Sequence, residues 1–259
     1  MSDAEREQNP QYFVRSLQQY VLAPVSTAAR VVDEERTEVR AERDAYREFS
    51  ERLAAIDSAP PTPPDRATRF TSDTATTDRI QRVRTAFRET VLDTPHYDDV
   101  YDESLLEHLA GEFGPEVADG LRPESSMSLS APYKQKLGVK TARALSRRDN
   151  FLDTLDDEAQ SIESARSALA EVFGPLDTTI IPEWHCESFT ERLDDVARHR
   201  QRTIRERDSV PQFDEHSVCA LLYDDEPWTY PVLTAVARTR ETVSFERSAS
   251  PGSTNSPRL

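Results

Sequence analysis

Residues 25–56 read VSTAARVVDEERTEVRAERDAYREFSERLAAI, and this stretch decides the fold. Val25, Ala28, Val32, Glu35, Val39, Glu42, Tyr46, Phe49, Leu53 and Ile56 recur at alternating intervals of three and four. That spacing puts them on one stripe of an α-helix, with two glutamates standing on the seam. Asp33, Glu34, Arg36, Arg40, Arg43 and Arg47 fill the other faces, where water solvates them. The predicted helix extends from Gln11 to Asp57. Pro24 is expected to kink or reset it, because a proline removes one backbone bond and clashes one turn back.

A second ladder is predicted between Pro132 and Phe173, closed by Gly174-Pro175. Its seam reads Leu137, Thr141, Ala144, Arg148, Phe151, Leu155, Glu158, Ile162, Ala165, Leu169 and Val172. The two ladders superimpose with an offset of 116 residues, which sets Glu42 on Glu158 and Leu53 on Leu169. Few identities accompany the match, so shared periodicity explains it better than duplication. A charge on a seam is costly unless it is partnered. Arg148 is therefore expected to answer Glu35 or Glu42 within one chain.

Between and beyond the ladders the sequence breaks into shorter pieces. Residues 58–78 carry Pro60, Pro61, Pro63 and Pro64 ahead of a Thr/Ser/Asp stretch, the composition of a linker. Ile80, Val83, Phe87 and Val91 mark a helix that should stop at Asp93-Thr94-Pro95, since the residue before a proline disfavours helical geometry. Leu105, Leu106 and Leu109 suggest a short helix closed by Gly111 or Gly114. Residues 122–130 read as a loop. Ser188-Phe189-Thr190-Glu191 has the form of a capping box, predicting a helix with Phe189, Leu193, Val196 and Ile204 on its apolar face. Val218 to Tyr223 is a short apolar element, and Pro231 suits the first turn of a last helix. The organisation expected is a heptad helix over 11–57, a Pro/Thr-rich linker over 58–78, a helical bundle over 79–247 packing with the first helix, and a disordered tail over 248–259.

Composition narrows the setting. Twenty-nine arginines stand against three lysines and forty-eight acidic residues, for a formal net charge of −16. A carboxylate-rich, lysine-poor surface stays hydrated where salt is molar and the Debye length is only about 3 Å. Arginine suits such a surface because its planar fork pairs with carboxylates and is weakly hydrated. The longest apolar run, Val218 to Tyr223, is far short of the roughly 18 residues that a membrane span needs. Met1 to Pro10 is acidic and polar, unlike a signal peptide. Two cysteines, Cys186 and Cys219, make no disulfide framework and fit a reduced cytoplasm.

Three clusters are chemically suggestive. His96, Tyr97, Asp98, Asp99 and Tyr101 concentrate an imidazole, phenols and carboxylates in one short segment. They form the candidate binding site, although no spacing there matches a metal motif and no catalytic role is assigned. His185, Cys186, His216 and Cys219 would be a sensible zinc set, but neither half has a paired-cysteine spacing, so no metal or cofactor is expected. Arg192, Arg198, Arg200, Arg202, Arg205 and Arg207 form the most basic stretch. Asp194, Asp195, Glu206 and Asp208 interleave with them, which favours an ion-paired bundle face over a nucleic-acid stripe.

The chain resembles an uncharacterised family of haloarchaeal proteins that carry a domain of unknown function. The resemblance rests on Ala28 to Arg36 and on through Phe49, on Arg88-Glu89-Thr90-Val91 with Pro95-His96-Tyr97-Asp98 and Tyr101, and on Arg148 to Glu158 with Ser161. Arg200-Gln201 and Tyr230-Pro231-Val232-Leu233 complete it, over about residues 14 to 245. It implies a haloarchaeal source and an all-helical protein, with no activity, cofactor or catalytic residue to carry over. The fold expected is therefore all-α, an elongated bundle built on two long coiled-coil-like helices. The function expected is a cytoplasmic interaction or scaffold protein, bound to a protein partner or to itself, with no membrane. The alternatives are a nucleic-acid regulator using residues 192–207 and, behind it, a metal-dependent enzyme at the His96 segment.

Overall fold

The computed structural model describes residues 10–60, 69–101, 103–173, 183–207 and 217–249. For 10–18, 69–77, 98–99, 173, 183–187, 207 and 242–249 it describes the backbone alone. The fold is all-α, with no strand among the described residues. Its helices are α1 (Pro10–Ala55), α2 (Arg69–Arg88), α3 (Tyr97–Val100), α4 (Leu105–Phe113), α5 (Pro115–Gly120), α6 (Ala131–Phe173), α7 (Glu183–Arg207), α8 (Val218–Leu222) and α9 (Pro231–Ala249), with a 3₁₀ turn at Val91–Asp93.

Both heptad ladders are buried as their spacing requires. Val25, Ala28, Val32, Tyr46 and Phe49 on α1 are fully enclosed, as are Leu137, Thr141, Ala144, Leu155 and Leu169 on α6. Pro24 lies inside a continuous α1. The chain forms two compact units, and each long helix contributes to both. One unit holds Arg36–Thr154; the other holds Met1–Glu35 with Leu155–Leu259.

In the 36–154 unit, the later half of α1 packs with α2, α4, α5 and the start of α6. Phe87 stands edge-on to Phe49 and Phe113, an arrangement that aromatic quadrupoles favour. Gly114 closes α4 at φ 94°, a left-handed conformation open to glycine. The Tyr133 hydroxyl donates to the Val117 carbonyl at 2.8 Å and lies where any side chain on Gly120 would have to go. The Lys134 ammonium donates to the carbonyls of Ala54 and Ile56 at 2.8 and 2.6 Å, satisfying acceptors that the end of α1 leaves open.

In the other unit, buried residues come from Val21 to Val32 on α1, Leu155 to Val172 on α6, and Phe189 and Leu193 on α7. Val218, Leu222 and Tyr223 at α8 and Val232, Ala235 and Val236 on α9 complete that core.

Two boundaries differ from the sequence reading. Helix α2 starts at Arg69, inside the stretch expected as linker, because the threonines and serines after Pro64 do not by themselves break a helix. Ser188 lies within α7, which already runs from Glu183, so no capping box starts the helix there. The capping box that does form is Ser104 with Glu107, ahead of α4. Residues 250–259, most of the expected tail, lie outside the described residues.

Candidate functional site

Among the described residues each unit holds a polar cluster with a seam glutamate at its centre, Glu158 fully buried and Glu42 partly so. In the 36–154 unit, the Arg148 Nε donates to Glu42 Oε2 at 2.7 Å, which is the pairing that the two seams called for. Its Nη1 donates to Glu112 Oε1 at 2.8 Å, where Arg147 Nη2 also arrives at 2.5 Å. The Arg148 guanidinium lies over the Tyr46 ring, 4.2 Å from its centroid. The other oxygen of Glu42 holds the predicted site: Tyr101 donates its hydroxyl to Oε1 at 2.8 Å, and His96 Nε2 stands 3.2 Å from the same atom.

Tyr97 turns inward. It is buried, donates its hydroxyl to the Glu103 carbonyl at 3.2 Å, and packs with Tyr101 and His108. The short α3 thus sits over an aromatic nest, and one carboxylate on α1 tethers both flanks of it. Val100, within α3, is 55% exposed. The side chains of Asp98 and Asp99 lie outside the described residues.

The cluster's electrostatics follow from burial opposed by charge. Burial works against the charge on Arg148, but Tyr46, Glu42 and Glu112 more than reverse it and hold its pKa above the ordinary arginine value. Burial pushes Glu112 up, and Arg148 and Arg147 outweigh it, leaving the carboxyl below its usual range. Burial, then Glu42, raises the Tyr101 phenol. His108 was not singled out by the sequence, yet it is buried with Nε2 2.9 Å from the Tyr46 hydroxyl and Nδ1 3.5 Å from Glu103. Burial pulls its pKa down, against Glu112 and Glu103. Its only sequence signal is its place on the Leu105–Leu109–Phe113 face of α4.

The second cluster is tighter. Arg200 Nη2 and Nη1 donate to Glu158 Oε1 and Oε2 at 2.5 and 2.9 Å, a two-pronged pair with side chains only 2% and 0% exposed. Arg200 Nη1 also donates to Ser161 Oγ at 2.8 Å, and Tyr223 donates to Glu158 Oε1 at 2.8 Å. Cys219 Sγ stands 3.5 Å from Arg200 Nη2. Burial opposes the Arg200 charge, but hydrogen bonding and charge from Glu158 raise its pKa nonetheless. The Tyr223 phenol is raised by burial and then by Glu158. Above Ser161 a polar groove of about 410 Å³ opens between α6 and α7, bordered by Asp157, Gln160, His199 and Thr203.

Of the other sequence candidates, the side chains of His185 and Cys186, and all of His216, lie outside the described residues. No group of three His, Cys, Asp or Glu with metal-holding geometry occurs among the described residues. The Arg-rich stretch divides: Arg200 enters the core, while Arg198 pairs with Asp195 at 2.5 Å on the surface. Among the described residues no helix is long and apolar enough to cross a membrane.

These features define a class: an all-helical protein whose long helices carry ion-paired seam glutamates in each of two units, one buried and one partly so. Within that class the chain belongs to the family described as a domain of unknown function, DUF7260, whose model matches residues 23–247. No curated protein and no solved structure matches the chain.

Proposed function

We propose that the chain is a helical protein-interaction protein, a scaffold at work in the cytoplasm of a halophilic archaeon, and that residues 94–104 form its contact surface. The observation that carries this reading is the tether on Glu42. His96 and Tyr101 meet one carboxylate oxygen, so α3 is fixed from beneath while Val100 remains exposed. Binding residues gather on irregular segments held by a rigid frame, and preorganisation spares the ordering entropy at the moment of contact. His96, Tyr97 and Tyr101 serve as anchors and edges of the surface, and Asp98, Asp99 and Val100 meet the partner, either another protein or a second copy. The acidic, arginine-dominated composition supports the salt-loaded setting. A nucleic-acid role for residues 192–207 has less support, since Arg200 is spent inside the core.

The test is the triple variant Val100→Asp, Asp98→Asn, Asp99→Asn, examined at molar KCl by light scattering and by crosslinking in cells. The Val100 change, at a position 55% exposed, should cost no more than about 0.5 kcal/mol. Self-association, or the set of crosslinked partners, should be lost. A folded variant that keeps every partner and its oligomeric state would remove the surface from consideration.

A further inference from the structure

The Arg-rich helix holds charge that neither polar cluster uses. Within the 155–259 unit, α7 and α9 run antiparallel: Arg240 pairs with Asp194, and further along Gln201, Ile204 and Arg205 meet Tyr230 and Leu233. There the helices part around a cleft of about 360 Å³. Its floor is apolar, with Ile204 and Leu233 half-buried, and Tyr230 at its edge is 41% exposed. Arg198, Arg202 and Arg205 follow one another at intervals of four and three, so they share one flank of α7, and Arg205 lines the cleft. Asp195 holds Arg198, and Arg205 steadies its stem by donating Nε to the Gln201 carbonyl at 3.1 Å. Among the described residues, Arg202 and Arg205 have no ion-pair partner. In a chain of formal net charge −16, this is a local reversal of sign next to apolar surface.

We propose that the α7/α9 cleft docks an amphipathic acidic helix of a partner protein. Apolar side chains of that helix would enter between Ile204, Tyr230 and Leu233, and its carboxylates would meet Arg202 and Arg205. A helix laid in a groove presents anchors at intervals of three and four, which suits a cleft of this small volume. Carboxylates match the guanidinium fork two-pronged, a contact that persists where long-range attraction is screened. A phosphate backbone is the poorer occupant, because a longer strand continuing along α7 meets Asp195 and Asp194 beyond the two arginines. This surface extends the interaction-protein reading but uses none of residues 94–104.

The experiment is fluorescence anisotropy of a labelled peptide with paired glutamates alternating with paired leucine or phenylalanine. It is titrated with the full chain in about 0.15 M and about 2 M KCl. Saturable binding is expected at both. It should weaken by about tenfold or more in Arg202→Glu/Arg205→Glu, in Tyr230→Ser, and for a peptide with glutamine in place of glutamate. These positions are at the surface, so an unchanged circular dichroism melt ties the loss to contact. The Val100→Asp chain should bind the peptide as the parent does, which keeps this result separate from the fate of the 94–104 surface. Absence of saturable binding, equal binding by the charge-reversed chain, or tighter binding of a single-stranded DNA oligonucleotide than of the peptide would overturn the proposal.

Discussion

Glu42 and Glu158 hold corresponding places on two heptad ladders, yet their surroundings differ in kind. Glu158 is shut in with one arginine whose fork it fills, and one phenol completes it. Glu42 shares its oxygens among an arginine, a tyrosine and a histidine, and that cluster keeps contact with water: side-chain exposures are 14% for Glu42, 11% for Arg148 and 18% for Glu112. The closed pair is stoichiometric and has little to gain from a ligand or from solvent. The open one is a junction where the 94–104 segment and α6 converge on one carboxylate of α1, within reach of solvent and salt. A buried charge on a seam can thus serve as a rivet in one unit and as a hinge pin for a surface segment in the other.

The largest effect that would separate them is expected from Arg200→Ala. It strands Glu158 in the core and should cost about 3–5 kcal/mol in urea melts, with little relief from added salt. Replacing the pair together, Arg200→Met with Glu158→Leu, should recover most of that loss, because an apolar pair carries no desolvation penalty. A cost under about 1 kcal/mol for the single change would mean that the pair is not closed.

Arg148→Ala should cost less, on the order of 2 kcal/mol, since water reaches the carboxylates it leaves behind. Unlike the first variant, its deficit should shrink in molar salt, where Glu42 and Glu112 repel less. Equal salt responses in the two variants would erase the distinction between open and closed.

The smallest effect is one of pH. The folded pKa of His108 lies below the unfolded value, so the unfolded chain takes up a proton first as pH falls. Its contribution is complete above about pH 6.5 and declines below that, by at most about 1.4 kcal/mol per pH unit. Melts between about pH 7 and 5.5 should show this slope, and His108→Gln should flatten it. A slope that survives the substitution would place the titrating group elsewhere.

Much of this architecture was legible in the sequence because heptad spacing translates directly into burial. Tyr46, Phe49, Leu137 and Leu155 are all enclosed where the ladders put them. The Arg148–Glu42 pair followed from the cost of two opposite charges on facing seams. Arg200 could not be recognised from composition, being one of six arginines in sixteen residues. Its register could have shown it. It stands four residues after Val196 and four before Ile204, in line with Phe189 and Leu193, where a solvated arginine does not belong. Tyr223 and Cys219 arrive from a five-residue helix whose sequence does not specify where it docks. In the 94–104 segment the residue types were evident, but their inward turn was not, because the carboxylate that draws them in lies more than fifty residues away.

The lysine cap on α1 has a practical consequence. All three lysines of the chain fall between 134 and 140, and the Lys134 amine is committed to two carbonyls. Lysine-directed chemistry, whether an acylating enzyme or a bench reagent, therefore meets a single short stretch of α6. The acylation rate of Lys134 reports how often the end of α1 lets go, with Lys136, half exposed in its surface pair with Glu116, as the internal reference.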